Sequence, residues 1–169
     1  MKIKNAQILA THLSLGTQQL HGLGENDRSS IGFLPPVGFE EAASQFFARP
    51  SESVLGWEPA VRAQKRITNV VDSIIRTDRT AGAIAIVSHG AVGTLLFCRL
   101  CGCEISRKWD QPANGGGNYF SMNLPAASCG VSKTLRNEAS FGEYNPKRFT
   151  VETRSVLHGW KPIDALLIG

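Results

Sequence analysis

The pattern of apolar positions changes period abruptly at residue 88. Ala83 to Val87 is a short, continuous run rich in Ile and Val, as expected of a strand buried on both faces of a parallel sheet. From Ala91 onward Val92, Leu95, Leu96 and Leu100 recur at helical spacing, predicting a helix from Ala91 to Cys101. Ser88-His89-Gly90 therefore falls on a strand-to-helix turn. A second helix is clearest over residues 57–77, where Trp57, Ala60, Val61, Gln64, Ile67, Val70, Val71, Ile74 and Ile75 keep helical spacing. Arg62, Lys65, Arg66 and Asp72 are expected to face away from the core, and the helix to cover one face of the sheet.

Weaker periodicities surround this centre. Residues 5–13 predict a helix with Ile8, Leu9 and Leu13 on one side and Gly16 just past its end. Residues 18–23 predict a short strand. Turn formers then lead through Pro35-Pro36 into a helix from about Phe39 to Ala48 that stops before Pro50. The polar loop between those two elements is a candidate site wall. Tyr119, Ser121 and Asn123 alternate with Phe120, Met122 and Leu124, predicting a strand, and residues 148–160 predict another. The two are expected to pair antiparallel as a C-terminal β-hairpin. Residues 125–148 mix Gly, Pro, Ser and charge, as a loop insertion does. Helix, strand and helix in succession are the grammar of a right-handed α/β unit.

At 169 residues and 42% hydrophobic composition the chain is expected to be one globular domain, residues 1–169. Its net charge of +4 is spread from Lys2 to Lys161 without a dense basic run, which argues against a nucleic-acid partner. No apolar segment reaches the length of a membrane span, and the N-terminus lacks a signal-peptide core, so a cytoplasmic location is expected. Cys98, Cys101 and Cys103 lie close together, but no second Cys pair or ligand-spaced His accompanies them. Small buried hydrophobes are favoured over a metal or redox site. Gly115–Gly117 lacks the Lys and hydroxyl residue of a P-loop and reads as a turn, and Ser88 does not sit in a Gly-x-Ser-x-Gly elbow. Trp57 and Trp160 read as core or rim packing, and His158 as structural.

Against these readings stands the position of His89. In open α/β sheets ligands bind beyond the carboxyl ends of the strands, where the following helix directs backbone N–H groups and its positive dipole end at an anion. Gly90 permits close approach of a ligand, and phosphate is the natural occupant.

The segment "IAIVSHGAVGTLL" resembles the second histidine motif of the histidine phosphatase superfamily, the phosphoglycerate mutase-like fold. "LGENDRSSIGFLPPVGFEEAASQFFARPSESVLGWEPAVRAQKRI" resembles the segment before that motif in a bacterial branch of small histidine phosphatases. "DQPANGGGNYF" and "VLHGWKPID" are similar to its C-terminal end. The similarity covers residues 1–124 and 150–164.

This resemblance implies an α/β fold of three layers, a mostly parallel sheet flanked by helices. It implies phosphomonoester hydrolysis, a phosphorylated small molecule or phosphate ion as partner, and no metal or organic cofactor. In such enzymes a histidine in an Arg-His-Gly motif attacks phosphorus and becomes a phosphohistidine. A second histidine, here His89, stabilises the equatorial phosphoryl oxygens. By motif position Glu25 is the acid that protonates the leaving oxygen. Arg28 and the backbone at Gly90 and Ala91 would hold the substrate anion.

The departure from the family lies in the nucleophile. The sequence contains no Arg-His-Gly. His12 falls on the first helix, and His21-Gly22 has Leu20 where the motif has arginine. The first helix corresponds to the one that, in the family, follows the first strand and nucleophile loop. The expectation is an N-terminally truncated domain, either begun at an internal methionine of a longer gene or a decayed relative, with impaired or absent turnover. A noncatalytic anion-binding or protein-interaction remnant of the fold is the alternative. Nothing in the sequence bears on oligomeric state.

Overall fold

The computed structural model describes residues 2–79, 84–110, 119–123 and 164–168. Helix α1 (Lys2–Leu13) forms as expected, but its apolar side is not a core face, since Ile8 is 69% exposed. The chain leaves α1 through Ser14 in the left-handed region at φ 54. Leu15 N–H donates to Ala10 O and Ser14 N–H to Thr11 O. This paired closure satisfies the last helical carbonyls, so the stop is Ser14 rather than Gly16.

No strand forms over residues 18–23; Leu20 is extended and His21–Leu23 is a 3-10 turn. Helix α2 (Pro36–Ala48) starts earlier than the apolar pattern implies, because Pro36 at the first helical position has no N–H to leave unpaired. Helix α3 (Ala60–Thr77) begins after Pro59 and leaves Trp57 outside it. Its buried stripe is Ala60, Ala63, Ile67, Val71 and Ile75, while Val61 is exposed.

Strand β1 (Ile84–Val87) and helix α4 (Gly90–Cys101) follow, with His89 as the extended N-cap. Ile86 of β1 is buried and Ala85 exposed. The double-sided burial expected of this strand is therefore not observed among the described residues: β1 buries the face turned to α3 and α4. Helix α4 ends at Gly102, whose φ of 64 suits glycine, with Cys103 N–H donating to Cys98 O.

Strand β2 (Tyr119–Asn123) matches the alternating run. Its partner is β3 (Asp164–Ile168), a strand the sequence reading had not assigned; the expected partner, residues 148–160, and the insertion at 125–148 lie outside the described residues. The sheet order is β1-β3-β2. β1 pairs with β3 in parallel, Ile84 opposite Ala165 and Val87 opposite Ile168. β2 pairs with β3 antiparallel, Tyr119 opposite Ile168 and Asn123 opposite Asp164. The described strands thus make a mixed sheet with one pairing of each sense.

Among the described residues two clusters form the core. One gathers Phe46 and Phe47 of α2, Trp57, Ala60 and Ala63 of α3, and Val92 and Leu95 of α4. The other joins Ile67, Val71 and Ile75 of α3 to Ile86 of β1 and Leu96 of α4, with Phe120 of β2 against it. Leu95 and Leu96 are fully buried neighbours that face different clusters. Each removes apolar surface worth about 2 kcal/mol from water. Helix α4 is thereby fixed between the halves of the core, and with it the histidine at its N-terminus.

Candidate active site

Gly22 begins the loop that carries Glu25. A β-carbon there would lie 2.2 Å from Val70 Cγ2 of α3, so only glycine lets the loop approach the helix so closely. Side chains from elsewhere hold the next stretch of backbone. Arg66 of α3 donates from Nη1 to Gly22 O at 2.8 Å and to Gly24 O at 3.0 Å, and from Nη2 to Glu25 O at 3.1 Å. Ser88, 1% exposed at the end of β1, donates to Leu23 O at 2.7 Å. Four consecutive carbonyls, Gly22 to Glu25, are thus each held by a side chain.

Glu58 completes this frame. Its carboxylate accepts from Arg66 Nη2 at 2.8 Å and Nε at 3.2 Å, and from the Asp27 N–H at 3.3 Å. Its own N–H donates to Asp27 O. The hydrogen bond from Arg66 holds the Glu58 carboxyl below its ordinary value, against the opposing effect of burial. Asp27 is also lowered, by hydrogen bonds from Ser29. Its Oδ1 accepts the Ser29 N–H at 2.9 Å, a turn of the type Asp makes with backbone two residues on.

On this frame Glu25, Arg28 and His89 converge. Glu25 Oε2 lies 3.2 Å from Arg28 Nη2 and 3.6 Å from His89 Nδ1. All three side chains are partly exposed, at 23%, 30% and 31%, and so accessible to a solute. Arg28 is flanked by two rings, its Cζ 5.1 Å from the Phe39 centroid and 5.2 Å from that of Trp57. Those faces attract the guanidinium and limit its swing. Asn26 donates its N–H to Glu25 Oε1 at 3.2 Å. The residue is 3% exposed, and its Nδ2 has no hydrogen-bond partner among the described residues.

Gly90 and Ala91 occupy the first turn of α4. No acidic residue stands in that turn and the side chain of the N-cap residue His89 makes no capping hydrogen bond, so its positive dipole end is not neutralised from within the helix. Thr94 Oγ1 lies 3.1 Å from both Gly90 O and Asp110 Oδ1, which ties the turn to the segment after α4.

The sequence-derived residues His89, Glu25, Arg28, Gly90 and Ala91 are therefore neighbours by contact or by chain position. The sequence reading missed Arg66, which was expected to face away from the core and instead lies half-buried over the loop. It also missed Glu58 and Ser88, and the aromatic pair around Arg28. Trp57 does pack in the core at 3% exposure, but it doubles as a wall of the site. His12 and His21 are exposed, and neither contacts Glu25, Arg28 or His89 in the hydrogen bonds and ion pairs of the site. A cavity of about 710 Å³ lies elsewhere, between His21 and Gly22 on one side and Asn69, Ser73 and Thr77 of α3 with Asp78 and Arg79 just past its end on the other, without His89 or Glu25 in its lining.

Cys98 is buried as a small hydrophobe, and burial pushes its thiol up to about 12. Cys101 is only partly buried and is pushed up to about 11 by the same cause. No helix among the described residues is long and apolar enough to cross a membrane.

A search of curated proteins gives no match. A scan against family profiles matches residues 3–120 to the histidine phosphatase superfamily (branch 1). That interval contains every residue of the site, from Glu25 to the first turn of α4, and most of the chain. A domain that sets a Ser-His-Gly turn beside an acid loop, and matches this profile over such a span, belongs to the histidine phosphatase superfamily.

Proposed function

We propose that the protein binds a phosphoryl group at the mouth formed by His89, Glu25 and Arg28, as a phosphomonoester hydrolase-type site. The observation that supports this reading is the convergence of a guanidinium, an imidazole and one carboxyl group at the start of α4. Arg28 and protonated His89 would neutralise the equatorial oxygens, with the N–H groups of Gly90 and Ala91 completing the cradle. Glu25 would give its proton to the leaving oxygen, its carboxyl standing beside Arg28 and His89 at the same mouth.

Displacement through a phosphohistidine also needs an attacking imidazole, and the sequence holds no Arg-His-Gly to supply it. Turnover by the 169-residue chain is accordingly expected to be weak or absent, with anion binding retained. A noncatalytic anion-binding or interaction role is the second reading, favoured by that missing motif.

Orthovanadate and inorganic phosphate, titrated through the millimolar range, are expected to raise the melting temperature. At one hundred times the dissociation constant the gain is about 2.7 kcal/mol. His89→Ala and Arg28→Met are each expected to remove most of it. Absence of any anion effect on the wild-type protein contradicts the first reading and the anion-binding form of the second. Hydrolysis of p-nitrophenyl phosphate that His89→Ala abolishes separates the first from the second.

A further inference from the structure

We infer that Arg66, held in turn by Glu58, is a positioning residue for Glu25: it fixes the acid loop through backbone carbonyls and so sets the Glu25–His89 distance. The inference rests on Glu25 being a site residue as proposed above. Its physical basis is independent of the reaction.

The guanidinium of Arg66 has five N–H donors, and all five are committed: three to the carbonyls of Gly22, Gly24 and Glu25, two to the Glu58 carboxylate. Such an arrangement has no slack. The two bonds to Glu58 fix the plane of the fork, and a fixed plane sets where the three carbonyls must lie. Glu58 reaches the same loop a second way, pairing with Asp27 through its own N–H and through Oε2.

Glu25 has its carbonyl on Arg66 and its carboxylate on Arg28 and His89. Backbone and side chain of one residue are thus anchored separately, the one to α3 and the other to Arg28 and His89. Without the backbone anchor, a loop of Gly22, Gly24 and short polar residues has many alternative conformations, and few of them retain the 3.6 Å approach to His89. None of the five Arg66 hydrogen bonds goes to Glu25's carboxylate or to His89, so its influence on them passes through the chain.

A lysine cannot replace this, since an ammonium offers three donors in no fixed plane. Arg66→Lys keeps the charge and loses the geometry. Arg66→Met keeps the aliphatic stem and loses both. Because Arg66→Met leaves Glu58 without its cationic partner, Glu58→Gln serves as a milder variant on the same frame.

The test uses the full chain, with the His89 imidazole followed by nitrogen-detected NMR and orthovanadate affinity by calorimetry. Glu25→Gln is expected to move the His89 Nδ1 resonance by removing the nearby carboxylate. Arg66→Met is expected to move it to the same place, Arg66→Lys and Glu58→Gln partway, and the double variant Arg66→Met/Glu25→Gln no further than either single change. The vanadate dissociation constant is expected to rise about tenfold in Arg66→Met. A folded Arg66→Met protein that keeps the wild-type His89 resonance, while Glu25→Gln shifts it, overturns the inference. Should Arg66→Met not fold, Glu58→Gln with an unmoved His89 resonance does the same. If the wild-type protein binds no vanadate, the phosphoryl-site reading fails, and the NMR comparison still decides whether Arg66 places Glu25.

Discussion

At the scale of single residues, the site is governed by how one carboxylate and one guanidinium hold each other. Glu58 is depressed first by its hydrogen bond from Arg66, with burial opposing, and then by the charge of Arg66, the Asp27 N–H and the charge of Arg62. A carboxyl group with a lowered folded value binds fewer protons when folded than when unfolded. Its contribution to stability is therefore fully present above its ordinary value of 4.5 and is lost as pH falls through the folded value. Urea midpoints measured from neutral pH down to about pH 3 should fall on the acid limb in the wild type. In Glu58→Gln the limb should be shallower and the neutral-pH stability lower. An unchanged acid limb in that variant would mean the pair adds nothing to folding. The legibility of the site divides at this same frame. His89 and Glu25 could be read because each stands in a short motif whose neighbours are informative. Arg66 could not, because an arginine beside Lys65 on the polar flank of a helix has the same signature whether it meets water or an overlying loop. Ser88 was hidden in the same way, its hydroxyl serving a carbonyl 65 residues away in sequence.

At the scale of elements, the frame depends on the loop meeting α3 at close range. The 2.2 Å that would separate a Gly22 β-carbon from Val70 Cγ2 is far inside contact distance, so Gly22→Ala must push the loop off the helix. We expect Gly22→Ala to weaken vanadate binding with little loss of helix content, and Gly22→Ala/Val70→Ala to recover much of it, since the second change removes the obstructing methyl groups. Failure of the double variant to recover binding, in calorimetric titrations of both proteins, places the defect in backbone conformation rather than crowding. The elements themselves were readable where many apolar residues share one face. The stripe Ile67, Val71 and Ile75 of α3 and the strand Ile84–Val87 are of this kind. Reading failed where an element is short or has no buried face. The apolar side of α1 gave a helix, yet Ile8 faces outward. Gln18 to Leu23 carried a strand-like pattern, but Leu23 N–H and Gly24 N–H close back on Leu20 O and His21 O, and the carbonyls of Gly22 to Gly24 are taken by side chains. Those backbone groups have no ladder to join. Strand β3, Asp164–Ile168, was missed because its run is nearly as short as that of β1 and has no helical pattern directly beside it to mark it as a strand.

At the scale of the whole molecule, the two core clusters are separate sets of side chains joined by shared helices. α3 contributes Ala60 and Ala63 to one and Ile67, Val71 and Ile75 to the other; α4 contributes Leu95 to one and Leu96 to the other. Two readings of this division are possible: independent halves that melt separately, or a single cooperative unit. Rigid helices that cross both clusters favour the second, because repacking one end of α4 displaces the other by the same rotation. The chain has three tryptophans, at positions 57, 109 and 160, and Trp57 lies in the first cluster. In a Trp109→Phe/Trp160→Phe background its fluorescence reports that cluster alone, while far-ultraviolet dichroism reports all helices. Leu96→Ala opens a hole in the second cluster at a cost of about 3 kcal/mol. For a single unit, this change lowers the urea midpoint of Trp57 fluorescence and that of dichroism together, although residue 96 is outside the Trp57 cluster. A Trp57 midpoint that stays fixed while the dichroic one falls would show the halves to be independent. In that case His89, carried on the helix that joins them, would owe its place to only one half of the core. Coincident midpoints mean that any mutation loosening either half also loosens the mouth of the site, so anion affinity and global stability should fall in step across core variants.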